Sequence, residues 1–422
     1  MTIKKIRTTH KKFSDYRKFL TKTEYEKIKT LSKPLKKLKI IHINSTPKGG
    51  GVAEILKSLV PLEMSLGIDS NWYCIQADPE FFFITKKFHN GLQGYDTFLS
   101  DEQKKHYLDY NKKFADDIKK LKPDLLMMHD PQPLAVSEFD NTITKILRIH
   151  VDMSAPNKEI LNFLLPYIKN YNSVILSLPE YVSTKFKNIN PKIYISPPAI
   201  DPLTEKNEIV HCSKYKNCLE KIGINPKYPL IAQVSRFDIW KNPLGVIEAF
   251  YIAKKKIPNL QLILAGIIEA KDDPSAYDVL KEVKEYAKED ENIWVFHSLN
   301  QLKKLKISHT NFIKMIQNCA NPILQLSSRE GFGLTVTEAM WRSKILIGGN
   351  VGGIKFQIKN KKNGFLTDNV KDTAKKIIWT VKNPKSSIKM GKNAKEKVKK
   401  DFLITRLLAD QLKIYTENTD CG

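Results

Sequence analysis

The chain has 422 residues, 41% hydrophobic, 9% aromatic and 27% charged, which is too long for one ordinary core and predicts two globular domains of roughly 200 residues each. That composition excludes a disordered chain. With 70 Lys and Arg against 45 Asp and Glu, the formal charge is +25; the lysines are spread along helical stretches without interleaved aromatics, so they predict a solvated basic surface rather than a nucleic-acid interface.

Residues 1–37 are polar and lysine-rich and predict a lead-in lying outside the first sheet, with weak helical spacing at Phe13, Tyr16, Phe19 and Leu20. Strand-like and helical runs then alternate. The first strand is expected at Leu38 to Ile43 and a helix at Val52 to Leu66, whose Ile55, Leu59, Leu62 and Leu66 share one face. Further strands fit Trp72 to Ile75, Leu125 to His129, Ile146 to His150, Val174 to Ser177 and Ile193 to Ser196. Pro197-Pro198-Ala199-Ile200-Asp201-Pro202 cannot be helical and reads as a hinge.

Beyond it the rhythm repeats. Strands are predicted at Leu230 to Val234, Leu260 to Ala265, Ile293 to Phe296, Ile323 to Leu326 and Ile345 to Ile347. Helices are predicted at Leu244 to Lys256, Tyr277 to Tyr286, Asn311 to Gln317 and onward from Thr335. Alternation of this kind predicts two doubly wound Rossmann-like α/β domains, 1–200 and 201–400.

The candidate chemistry sits where predicted strands end. Glu330-Gly331-Phe332-Gly333-Leu334-Thr335-Val336-Thr337-Glu338 leaves one strand and enters a helix, so its amides attract an anion while its two carboxylates accept bonds from sugar hydroxyls. Ser235-Arg236-Phe237-Asp238-Ile239-Trp240-Lys241-Asn242-Pro243 leaves another strand and supplies two cations suited to phosphate. Trp240 reads as packing. Lys48-Gly49-Gly50-Gly51 follows the first strand and is a phosphate-binding candidate, although a tight turn also explains three glycines. His129-Asp130 and His150-Val151-Asp152 end two more strands of the first domain.

These motifs, with Phe81-Phe82, the run Lys86 to Gly94 and His129 to Pro133, resemble the retaining glycosyltransferases of the GT-B class, two Rossmann-like domains facing a central cleft, and within them the trehalose glycosyltransferring synthases of family GT4. The resemblance implies catalytic roles for Arg236, Lys241, Glu330 and His150. It implies donor contacts at Gly50, Gly51, Gly331, Phe332, Gly333, Leu334 and Glu338, with Glu338 on the ribose, and acceptor contacts at Asp130, Gln132, Glu54 and Lys86. It also implies a last helix over 402–418 returning to the first domain. The nucleotide base is expected near His297 to Asn300.

The expected reaction moves glucose from a nucleoside diphosphate glucose (UDP-, ADP- or GDP-glucose) to glucose, giving trehalose. A trehalose phosphorylase, a transferase with another acceptor and a non-catalytic nucleotide-sugar sensor stay open. Neither Asp-x-Asp nor a hydrolase or kinase signature occurs, and no cofactor or metal is expected. Five scattered cysteines without Cys-x-x-Cys read as incidental thiols, without disulfides or zinc. No apolar run approaches the roughly 20 residues of a membrane helix, and the N-terminus has no signal-peptide pattern. A cytoplasmic protein is expected, its partners a nucleotide sugar and glucose, with a homodimer left open.

Overall fold

The computed structural model describes residues 1–422 except 49, 141, 187, 188, 267–274, 289 and 420–422. It divides into two units, Met1–Ala199 with Leu403–Gly422 and Ile200–Phe402.

Unit 1 carries seven strands, β1 (Ile3–Lys5), β2 (Lys39–Asn44), β3 (Asp69–Ile75), β4 (Leu125–His129), β5 (Thr144–Ile149), β6 (Ser173–Leu176) and β7 (Lys192–Ile195). Their order is β1-β3-β2-β4-β5-β6-β7, and every pair is parallel except β1 with β3. The lead-in therefore begins inside the sheet, as an antiparallel edge strand. Three residues are too short to carry an alternation, and the open edge of β3 supplies the pairing that local sequence does not. The rest of the lead-in forms a short 3-10 helix, Phe13–Phe19, and a helix Lys22–Ser32 started by a Thr21/Glu24 capping box.

The two faces of this sheet differ. One face buries Ile41, Ile43, Leu126, Met128, Leu147 and Ile149 against the helices Pro79–Leu92, Asp101–Leu121 and Lys158–Ile168. The other carries His42, His129 and Arg148, and is met by the helices Gly51–Ser65 and Ile404–Asn418. The C-terminal helix is fastened there by Arg148 donating to Gln411 (3.3 Å) and by Arg406 donating to the Pro197 carbonyl (2.6 Å).

Unit 2 carries six strands, β8 (Leu230–Val234), β9 (Gln261–Ala265), β10 (Ile293–Phe296), β11 (Ile323–Gln325), β12 (Leu346–Gly349) and β13 (Phe365–Thr367). All are parallel, in the order β10-β9-β8-β11-β12-β13. The chain winds outward from β8 to β10, crosses back, and winds outward on the other side. This is the doubly wound arrangement whose strand order reverses between β8 and β11. The helix Ser275–Ala287 is longer than the sequence reading, and β13 is additional to it.

One expectation is corrected here. Cys212 and Cys319 form a disulfide, with Cα atoms 4.9 Å apart and 107 residues between them in sequence. Cys319 ends the helix His309–Cys319, and Cys212 opens a 3-10 turn packed on that helix. Spacing along the chain carries no trace of such a contact. Cys74 stays a buried thiol, its pKa pushed up to about 12 by burial. A digest without reductant is expected to yield a cross-linked pair of peptides containing Cys212 and Cys319. Urea melts with and without reductant should differ by about 2–4 kcal/mol in unfolding free energy; coincident melts and unlinked peptides would remove the tether.

Candidate active site

In a doubly wound sheet, the loops leaving two adjacent strands depart toward opposite faces where the strand order reverses, and the crevice between them is the place where ligands bind. In unit 2 that place lies beyond the ends of β8 and β11, and Lys241 and Glu330 meet there. Lys241 Nζ lies 2.6 Å from Glu330 Oε2, with both side chains mostly shielded from solvent. Ser327 Oγ donates to the same carboxylate oxygen at 3.2 Å, and Gln325 Nε2 does so at 3.4 Å.

Local chemistry builds both loops. After β8, the Asp238 side chain accepts from the Trp240 amide (3.0 Å) and closes a single 3-10 turn, Ile239–Lys241. Asn242 then takes a left-handed conformation (φ 49°), caps the next helix by accepting from the Gly245 amide, and hands over to Pro243 at its first position. Phe237, buried in the core, anchors this loop, whereas Trp240 is half-buried. Gln233 on β8 donates to the Lys241 carbonyl at 2.7 Å, so the backbone that carries the lysine is fixed from within the sheet.

After β11, Gly333 has φ 83° and starts the helix Leu334–Trp341, a conformation that favours glycine. Beneath it, a Cβ on Gly353 would come within 2.2 Å of the Phe332 Cα, so only glycine lets the two backbones approach. Gln357 donates to the Phe332 carbonyl at 2.6 Å, and the Gly353 amide donates to the Glu330 carbonyl at 3.0 Å. The two loops are also joined directly, the Ser328 amide donating to the Trp240 carbonyl at 2.9 Å.

The remaining unit 2 candidates differ in burial and partners. Arg236 is exposed on the same loop as Lys241 and donates to Asp238 at 3.1 Å. Gly331, Phe332, Gly333 and Leu334 form the turn into the helix N-terminus, where backbone amides attract an anion. Glu338 is buried below them. Its carboxylate is held by Lys206 Nζ at 2.7 Å and Gln317 Nε2 at 3.0 Å, partners that spacing from Glu330 does not reveal. Near His297, the His297 and Ser298 amides are both taken by Gln301 Oε1, at 2.8 and 3.1 Å.

In unit 1 the strand order reverses between β2 and β4. Gly50 and Gly51 follow β2 and start the helix Gly51–Ser65; Gly49 lies outside the described residues. Gly50 has an extended backbone that any residue can adopt, and a Cβ built on it meets nothing within 4 Å. Neither turn geometry nor packing explains a glycine there. The missing side chain leaves the approach to a helix N-terminus clear.

Asp130 follows β4 in a left-handed conformation (φ 65°) and accepts from the His150 amide at 2.7 Å. Burial pushes the Asp130 pKa up to about 7, against the opposing effects of the His150 amide and the Arg148 guanidinium. His150 is held well below the ordinary imidazole value by burial and then by Arg148. Gln132 lies two residues beyond Asp130, and its Oε1 is buried without a hydrogen-bond partner among the described residues. Asp152 caps a turn by accepting from the Ser154 amide. Glu54 and Lys86 sit on helices rather than at strand ends, Glu54 paired with Lys57 at 2.9 Å and Lys86 half-buried on Pro79–Leu92.

Sequence reasoning passed over His42, Glu63 and Tyr415. His42 Nδ1 lies 3.2 Å from His129 Nε2, and His129 Nδ1 lies 3.1 Å from His150 Nε2. At the far end, His42 Nε2 lies 3.0 Å from Glu63, and the Tyr415 hydroxyl donates to Glu63 Oε1 at 3.2 Å. The available signal was a histidine inside an apolar strand, Ile40-Ile41-His42-Ile43.

The family profile described as "Trehalose synthase, N-terminal domain" matches residues 42–183, and the one described as "Glycosyl transferases group 1" matches 216–397. The chain is 40% identical over 414 residues to a trehalose synthase of Pyrococcus horikoshii, covering 98% of each chain. It is 34% identical to that of Rubrobacter xylanophilus over 421 residues, covering 98% of this chain and 99% of the other. Among solved structures it is similar to a UDP-forming α,α-trehalose-phosphate synthase from Burkholderia xenovorans, with a TM-score of 0.71 at 10% identity over 90% of this chain and all of the other. A sucrose-phosphate synthase from Thermosynechococcus elongatus gives a TM-score of 0.68 at 17% identity, covering 90% and 98%. These likenesses identify the two doubly wound units as the domains of a GT-B fold, and the near end-to-end identity with the two relatives means that the chain belongs to the trehalose synthase family of glycosyltransferases.

Proposed function

We propose that this glycosyltransferase is a retaining enzyme that moves glucose from a nucleoside diphosphate glucose to the anomeric hydroxyl of glucose, releasing trehalose and the nucleotide. The observation that carries the reading is the Lys241–Glu330 pair beyond the ends of β8 and β11. A shielded ion pair contributes little net stability, because the desolvation of both charges offsets their attraction. Its use lies in presenting a fixed cation and a fixed acceptor to a ligand that needs both, and an activated sugar diphosphate is such a ligand.

In the proposed reaction the bond between the anomeric carbon and the leaving phosphate oxygen breaks. The acceptor hydroxyl attacks from the same face, and its proton passes to the departing phosphate. Arg236, Lys241 and the helix N-terminus at Gly333 stabilise the charge that grows on the diphosphate more than they stabilise the ground state. Glu330 accepts from hydroxyls of the donor glucose, while Gly50 and Gly51 offer amides to the donor. In unit 1, His150, Asp130 and Gln132 are assigned to sugar hydroxyls. An Asp130 that keeps its proton near neutral pH can donate as well as accept.

A retaining trehalose phosphorylase is the second reading, and one observation favours it. Glu338, the residue assigned to the ribose, already has Lys206 and Gln317 as partners, and a phosphorylase has no ribose to hold. A trehalose phosphorylase of Pleurotus pulmonarius is 27% identical over 376 residues, although the match covers only 50% of that protein.

Incubation with UDP-, ADP- or GDP-glucose and glucose is expected to give a non-reducing disaccharide without added phosphate. Product formed only from glucose 1-phosphate, or cleavage of trehalose that requires phosphate, would establish the second reading instead. Lys241→Ala is expected to lower kcat at least about a hundredfold, the scale of losing one group that stabilises developing charge; unchanged turnover would remove it from the site. The raised Asp130 pKa means that the folded form holds a proton the unfolded chain has released, so stability is lost as pH rises from about 4 through about 7. Asp130→Asn keeps an acceptor for the His150 amide. It is expected to unfold at the same urea concentration as the parent near pH 4, and to be more stable above pH 7 by up to about 4 kcal/mol. A difference independent of pH would refute the raised Asp130 pKa.

A further inference from the structure

The three histidines follow from register. His42 on β2 lies opposite Met127 on β4, and His129, two residues further along β4, lies opposite Arg148 on β5. His150 is two residues beyond Arg148. Side chains two apart share a face, so the rings climb one face of the sheet like a stair toward its carboxyl edge. Neighbouring ring planes are within 19° and 24° of each other.

The foot of the stair is a carboxylate with no exposure. Glu63 accepts from Ser70 Oγ at 2.5 Å and from the Tyr415 hydroxyl at 3.2 Å, and its Oε2 lies 3.0 Å from His42 Nε2. A carboxylate only accepts, so His42 Nε2 carries the hydrogen. The Tyr415 oxygen, 3.1 Å from the same nitrogen, is a secondary acceptor, because its own proton is spent on Glu63.

A neutral imidazole has one N–H. In that neutral form, with Nε2 protonated, His42 Nδ1 accepts and His129 must donate to it from Nε2. His129 Nδ1 then accepts in turn, and His150 donates from Nε2. A doubly protonated His42 would instead donate from Nδ1, reverse the chain and leave His150 protonated on Nδ1. The direction of the whole chain is thus decided at Glu63. Burial, the neighbouring rings and Arg148 all disfavour a second proton on His129, and burial and Arg148 disfavour one on His150. The titratable group bonded at this end is Asp130, whose Oδ1 accepts from the His150 amide.

We propose that Glu63, acting through His42 and His129, is a positioning residue that fixes His150 as its Nε2–H tautomer, so that Nδ1 meets a sugar hydroxyl only as an acceptor. This rests on the assignment of His150 to the sugar. A purely structural Glu63–His42 pair would hold the helix Gly51–Ser65 to the sheet without governing a ring two hydrogen bonds away.

The test is a two-bond nitrogen–proton NMR spectrum of the full-length protein labelled with ¹⁵N-histidine, its nine histidines assigned with single His→Gln variants. His150 should show a protonated Nε2 and a bare Nδ1, unchanged between about pH 6 and 8. In Glu63→Gln, whose amide can donate as readily as accept, both His150 tautomers should appear. Its kcat should fall about tenfold to a hundredfold, on the scale of one hydrogen bond to the sugar left unmade, with KM for glucose nearly unchanged. If that variant does not fold, His129→Phe breaks the chain at its middle and carries the same expectation. A His150 protonated on Nδ1, a spectrum unchanged in the variant, or a changed spectrum with unchanged kcat would each overturn the proposal. Failure of the unsubstituted protein to make trehalose would count against the functional reading instead, and the spectrum would still decide the tautomer.

Discussion

Parallel strands whose connections leave in opposite directions cannot cover their own carboxyl ends, and each unit of this chain is organised around the opening that results. In unit 2 the opening holds the 2.6 Å contact between Lys241 and Glu330. Almost every local feature of the two loops serves to fix one of those side chains. Asp238 closes the turn before Lys241, Gln233 holds its carbonyl, and Gly333 and Gly353 let the backbone beside Glu330 lie against its neighbour. A long lysine side chain gives up rotamer freedom when it is held, and a pair this shielded recovers little from its own attraction. An arrangement so costly in freedom and so modest in return makes sense when a ligand completes it.

The sequence made the skeleton of this site legible, because each part of it follows a short apolar strand and precedes a helix. Position made Lys241 and Glu330 candidates, and equally His129, Asp130, His150 and Asp152; it took the family resemblance to single out Asp130 and His150. The groups beneath them were hidden. Lys206 and Gln317, which hold Glu338, come from segments well separated along the chain, and no periodicity links them. The same holds for Cys212 and Cys319, joined across 107 residues, and for β1, whose three residues form a strand only because β3 has an open edge. What could be read was what local patterning encodes; what was missed is what the fold brings together from a distance.

His42 lies between these cases. A histidine at an inward position of an apolar strand is a legible anomaly, since a buried polar ring requires a partner. Its meaning appears only when register sets β2 beside β4 and β4 beside β5. His129 illustrates the same point. Read alone, it is one of two strand-end histidines; in the sheet, it is the middle link between a carboxylate and the edge.

The two faces of the unit 1 sheet therefore do different work. One buries aliphatic and aromatic side chains and supplies the driving force for folding. The other accepts the expense of burying Glu63, the imidazoles of His42 and His129, Arg148 and Gln411, and meets it with a connected set of hydrogen bonds to the C-terminal helix. Arg148 Nε is left without a partner among the described residues, but the groups that are bonded have little freedom for rotation. That is the property the proposed sugar-binding edge needs: the groups at the rim can be polar and still rigid, because their orientation is decided deep in the sheet, where water does not compete.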